Sequence, residues 1–170
     1  SEAREMSSAA PLTPAVESFI AEARAALPGE SLESFKVRTY GGSETMSNII
    51  VPLILQGQKT GTFAMAAEYE QDPASAPRVG DRYVVTWFDG RPALLYRITV
   101  VERVPFEAIN HDHVQVEGPN ARQVDVWRKI HWDYWGATLR QQGLEPTMQM
   151  PVVFSRFQLL YPKPAVPQPS

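Results

Sequence analysis

The sequence predicts one α+β domain, in which helices carrying apolar residues at three- and four-residue spacing flank a single small sheet. Three observations carry that expectation. The chain has 170 residues, the length of one domain, and shows no internal repeat. Two β-rich runs, Tyr83 to Phe88 and Ala93 to Val104, flank Asp89-Gly90, a dipeptide suited to a hairpin turn. At 44% hydrophobic and 21% charged residues, the composition supplies a core without cross-links.

The first helix is expected from about Thr13 to Leu27. Thr13 suits the N-cap and Pro14 the first helical position, where a missing N–H costs nothing. Val16, Phe19, Ile20, Ala23 and Leu27 share one face, and Pro28-Gly29 ends the element. Ser34 to Tyr40 leads into the turn Gly41-Gly42, after which Ser43 caps a second helix. Met46, Ile49, Ile50, Leu53 and Ile54 form its apolar face. Pro52 is expected to kink or restart that helix, and Gly57 to stop it. Gln58 to Met65 follows as an extended strand or loop, so Lys59 leaves a helix-to-strand junction. Beyond Asp72-Pro73 and the turn Val79-Gly80-Asp81 comes the hairpin, ended by Pro105. Phe106 to Gly118 reads as a short helix and loop. Gln123 to Gln142 is the longest helix, with Val124, Trp127, His131, Tyr134, Trp135 and Thr138 near one stripe and Gly143 closing it. The last strand, Val152 to Tyr161, puts Phe157, Leu159 and Tyr161 on one side and Arg156 and Gln158 on the other. Residues 1–12 are expected to be disordered, with Met6 the native start, 13–161 to form the domain, and 162–170, with four prolines, to be a disordered tail.

Cysteine is absent, which excludes disulfides, thiolate nucleophiles and zinc–sulfur sites. No apolar run approaches a membrane span, so a cytoplasmic location is the default expectation. The net charge of −3 disfavours a general nucleic-acid binder, whose affinity rests on phosphate neutralisation. The charge is uneven, however: residues 1–120 carry 10 Lys/Arg against 16 Asp/Glu, and residues 121–170 carry 6 against 3. Arg128, Lys129, Arg140 and Arg156 therefore either form a local basic face or are scattered solvated charges.

Three stretches could carry chemistry. Gly57-Gln58-Lys59-Thr60-Gly61-Thr62 lacks the glycine spacing and following helix of a phosphate loop. It offers a lysine and a hydroxyl three residues apart, beside a glycine that lets a ligand approach the backbone. Lys59 stands either exposed in a turn or desolvated in a pocket, where it can act as a base or pair with an anion. Glu117-Gly118 is an acid before a turn. His111-Asp112-His113 has metal-ligand spacing, but with no third ligand nearby and Asp112 between them it reads better as a polar loop. Trp127, Trp132, Tyr134 and Trp135 either stack bases or fill the core, and His131 among them fits a hydrogen-bonded core histidine.

Gly57-x-Lys59-Thr60-x-Thr62, Val79-Gly80-Asp81, Arg97-Ile98-Thr99, Glu117-Gly118, Trp127-Arg128-x-x-His131-Trp132 and Arg156-Phe157 occur in that order. Together they resemble an ASCH domain, a branch of the PUA-like superfamily, over about Ser34 to Tyr161. The resemblance implies a PUA-like bent β-barrel of about five to six mixed strands with peripheral helices, and a nucleoside or single-stranded RNA as partner. Some members are amidohydrolases that deacetylate N4-acetylcytidine through a lysine, a threonine and a glutamate. By that likeness Lys59, Thr62 and Glu117 are the candidate catalytic residues, and Gly57, Thr60, Arg128 and Arg156 the candidate substrate-binding ones. Neither metal nor cofactor is called for. Two departures stand out. The deacetylating members are shorter, with an arginine soon after the threonine where this chain has Ala64. The longer form with Trp127–Trp135 resembles members whose substrate is not settled. The alternatives are a non-catalytic RNA-binding module and a metal-dependent ribonuclease, the latter keeping His111 and His113 in play.

Overall fold

The computed structural model of the protein describes residues 7–164, and the side chains of all but the first three of these. Six strands form one mixed sheet: β1 (Ser7–Ala9), β2 (Lys36–Tyr40), β3 (Gly61–Met65), β4 (Arg82–Thr86), β5 (Pro92–Pro105) and β6 (Pro151–Tyr161), in the order β1-β2-β4-β5-β6-β3. Only β2 and β4 run parallel. β5 spans the molecule, pairing with β4 through its first half and with β6 along most of its length. Register shifts at Leu95/Tyr96 and Ile98/Val100 let this long pair bend, so that the sheet curls.

Four helices pack on the curled sheet: α1 (Pro14–Ala26), α2 (Glu44–Leu55), the single turn α3 (His111–Val114) and α4 (Val124–Gln141). Thr13 Oγ1 accepts from Val16 N and Ser43 Oγ from Met46 N, as the cap residues predict. α1 buries Val16, Ile20 and Ala23 against Val37, Val84 and Leu95. α2 lays Ile50, Val51 and Ile54 on Tyr40, Tyr96, Ile98, Phe157 and Leu159. α4 covers the other end of the sheet with Trp127, Tyr134, Trp135 and Leu139 against Phe63, Met65, Phe154 and Val152.

Four expectations change. Ser7–Ala9 pair with β2 as an edge strand, held by backbone bonds that no side-chain pattern announces. The other calls on the chain ends fall largely outside the described residues. α2 runs through Pro52 unbroken, because the proline lies near its C-terminal end and removes one ladder bond only. Tyr161 leaves the side shared by Phe157 and Leu159 and packs with α1, ring centroid 5.4 Å from that of Phe19, beyond the first register shift. Ile49, placed by periodicity on the buried face of α2, is 51% exposed.

Candidate functional site

Two distant segments are fastened together before either side chain of interest is reached. Gly57, at φ 76°, closes α2 as the left-handed residue the pattern predicts. Lys59 N then donates to Leu53 O in the last turn of α2. Thr60 N donates to Val116 O, and Thr60 O accepts from Phe157 N of β6. Gly61 has no room for a side chain, since a Cβ would lie 2.4 Å from Ser155 O and 2.8 Å from Val116 Cβ. Arg122 completes the joint, donating from Nε to Glu117 O at 2.7 Å and from Nη2 to Gln58 O at 2.6 Å. Residues 58–60 and 116–117 are thus one rigid seam.

Across that seam Lys59 Nζ meets Glu117 Oε1 at 2.7 Å, with each residue only 2% exposed. Glu117 Oε2 is buried and has no hydrogen-bond partner. His131 Nε2 stands 3.8 Å from that oxygen. The His131 ring is stacked on Trp127, centroids 4.2 Å apart, and its Nδ1 lies 2.8 Å from Trp127 O. A carbonyl only accepts, so Nδ1 carries the hydrogen and the neutral ring turns a lone pair toward Glu117. Burial pushes the His131 pKa below its usual 6.5, with Glu117 pulling it upward. The site therefore holds an ion pair and, behind it, a buried carboxylate oxygen without a donor, facing the imidazole of His131.

This arrangement has a consequence for stability. Unfolded histidine takes up a proton below about pH 6.5, whereas buried His131 resists it, so the unfolded chain binds more protons and stability falls as pH drops through that range. Urea midpoints from about pH 8 to about pH 5 are expected to decline, and His131→Gln to flatten the decline. An equal slope in the variant overturns this account.

Lys59 and Glu117 border a cavity of about 390 Å³ between α2 and α4. Met46, Ile49, Ile50 and Leu53 of α2 form one wall, Ile130 of α4 and the stretch from Gly118 to Ala121 the other, with Gln58 beside Lys59. The volume lies at the small end of the roughly 300–1,000 Å³ usual for ligand sites.

Residues 36–161, most of the chain, match the sequence model of the ASCH domain. The chain belongs to the ASCH domain family. The ASCH domain from Lactobacillus crispatus JV V101 superposes with a TM-score of 0.73 at 24% identity, covering 86% of this chain and 91% of that one. A protein from Enterococcus faecalis V583 gives a TM-score of 0.72 at 24% identity, over 85% and 92%. Both likenesses concern the fold. Among curated protein sequences none matches significantly.

In this ASCH domain, Lys59 and Glu117 come together in one buried ion pair. Thr62 does not border their cavity. It pairs across from Ser155, as Phe63 does from Phe154, and side chains alternate along a strand. Thr62 therefore faces away from the α4 side occupied by Phe63. Gly57 and Thr60 act through backbone: one stops α2, the other locks the seam. Arg128 is held by the carbonyls of Glu107 and Ile109, and Arg156 lies over the Phe154 ring, 5.3 Å from its centroid. Of the basic candidates, Lys129 pairs with Asp133 and Arg140 with Glu145, both at exposed positions. Asn110 N donates to His113 Nδ1, and Gln115 Nε2 stands 3.5 Å from His111 Nδ1. Among the described residues no three His, Asp or Glu gather as metal ligands, and no helix is long and apolar enough to cross a membrane. Sequence reasoning missed Arg122, for which no local signal exists. It placed His131 in the core but not beside Glu117; the four-residue spacing from Trp127 marks the face, not the neighbour across it.

Proposed function

We propose that this ASCH domain binds a small neutral amide of the nucleoside class, such as an N4-acylated cytidine, and hydrolyses it at Lys59–Glu117. The observation that carries the reading is the sealed pair on the cavity, with Glu117 Oε2 left without a donor. An amide answers both groups: its carbonyl oxygen accepts from Lys59, and an N–H donates to Glu117. In the reaction, water oxygen bonds to the acyl carbon while Glu117 takes its proton. The C–N bond then breaks, and the same proton passes to the departing amine, leaving an acid and a free amine. Lys59 steadies the oxyanion between these steps. Water is written as the nucleophile because Thr62 does not border the cavity; a Thr62 nucleophile activated by Lys59 and Glu117 is the competing form.

Release of acetate from N4-acetylcytidine is the test. Wild-type turnover is expected, with Glu117→Gln reduced by roughly 10²–10⁴-fold and Thr62→Ala near wild type. Loss of activity in Thr62→Ala transfers the attack to that hydroxyl, and no wild-type turnover rejects the enzyme. Recognition of single-stranded RNA is less well supported, because Arg128, Lys129 and Arg140 are already engaged. RNA binding that weakens steeply with salt would favour it instead.

A further inference from the structure

The walls of the cavity are aliphatic. The residues that border it include Met46, Ile49, Ile50, Leu53 and Ile130 and, among the described residues, no aromatic ring. That absence is selective, because the chain has 7 Phe, 4 Trp and 6 Tyr. Many of them are packed into the core beneath α2 and α4. Proteins that hold a free base commonly stack it on an aromatic or guanidinium plane. A chamber walled mainly by aliphatic side chains offers no aromatic or guanidinium plane and matches an alkyl chain.

Burial orders the cavity from mouth to floor. Ile49 at 51% exposure forms the lip, and Lys59 and Glu117 at 2% lie deepest. An apolar side chain left half in water on a helix whose other face is packed gains burial when an apolar group enters beside it. The floor restricts the head group of such a ligand. A carboxylate brings no donor to Glu117 Oε2 and repels it, and an ammonium sets a second cation beside Lys59. A carboxamide brings the donor that Glu117 Oε2 lacks and carries no charge to set against either member of the pair.

We propose that the cavity is a subsite for the aliphatic chain of a carboxamide, longer than acetyl, whose amide group meets Lys59 and Glu117. This rests on the amide reading of the floor and adds that the acyl side, not a base, occupies the chamber. One feature of the wall makes chain length adjustable. A Cβ on Gly118 would stand 2.7 Å from Leu53 Cδ1, the movable end of a flexible side chain that itself borders the cavity. Gly118→Ala therefore displaces Leu53 and narrows the chamber.

Acetamide, butanamide and hexanamide, titrated into the full chain and followed by the NMR shifts of isoleucine methyls, test the subsite. Affinity is expected to rise about threefold to fourfold for each added methylene until the cavity is filled. Butanoate and butylammonium are expected to bind more weakly than butanamide. Gly118→Ala shifts the preference toward shorter amides; Ile49→Ser, at an exposed position that folding tolerates, lowers the gain per methylene. Affinity independent of chain length, or butanoate binding as well as butanamide, overturns the proposal. Length-dependent binding without hydrolysis of N4-acetylcytidine sinks the reaction but keeps the subsite. Hydrolysis of that nucleoside without length dependence does the reverse.

Discussion

Lys59→Met is expected to destabilise the protein by about 3–5 kcal/mol, the cost of leaving a buried carboxylate without its cation. Glu117 is 2% exposed, and its second oxygen already lacks a protein partner, so among the described residues no neighbouring donor is in place to take over from Nζ. His131, 3.8 Å from that oxygen, can respond only by binding a proton against its own burial. The double variant Lys59→Met/Glu117→Leu removes both charges and keeps the volume apolar. It is expected to recover most of the loss, because two desolvation costs disappear with the attraction. Urea denaturation of wild type, both single variants and the double variant gives the coupling directly. A cost below about 1 kcal/mol for Lys59→Met shows that the pair is solvated, which removes the basis of the proposed chemistry. If the double variant is as stable as wild type yet inactive, the pair is kept for function rather than for folding.

The parts of this fold that were legible in the sequence are those written in local code. Caps at Thr13 and Ser43, the stop at Gly57 and the Asp89-Gly90 turn depend on a few adjacent residues, and all four appear where expected. The α4 stripe was legible because Trp127, His131, Tyr134 and Trp135 repeat at helical spacing. What escaped were features set by partners far along the chain. The edge pairing of Ser7–Ala9 with β2 is made by backbone. Arg122 reads as an ordinary surface arginine until the carbonyls of Gln58 and Glu117 are seen within its fork. The site divides in the same way. Lys59 and Glu117 were reachable only through the order of motifs along the chain, since 58 residues separate them. The seam at Thr60–Val116 is what converts that order into contact. Thr62 shows the opposite limit. Three-residue spacing brings side chains together on a helix, whereas on an extended strand it puts them on opposite faces.

Trp127→Ala is expected to cost about 3–5 kcal/mol, as for other fully buried aromatic residues cut to alanine. Trp127 is wholly buried, with ring centroids of Phe63 at 4.8 Å, Phe106 at 5.3 Å and Trp135 at 5.8 Å around it. The same ring is the stacking partner of His131, so this substitution reaches the site without touching it. Trp127 O remains in place for His131 Nδ1, but the hole beside the imidazole admits water, and the His131 pKa is expected to return toward 6.5. Trp127→Phe separates the two effects. It keeps a ring against Phe63 and His131 and deletes Nε1, a buried donor with no partner, whose desolvation costs about 1–3 kcal/mol. That gain offsets part of the lost volume, so the phenylalanine variant is expected to lie much closer to wild type in stability than the alanine variant. NMR titration of His131 in the two variants then decides how the site is held. A pKa that recovers in Trp127→Ala but stays low in Trp127→Phe assigns the dryness of the Lys59–Glu117 pocket to the ring that α4 lays over the sheet. A pKa unmoved in both assigns it to the seam alone.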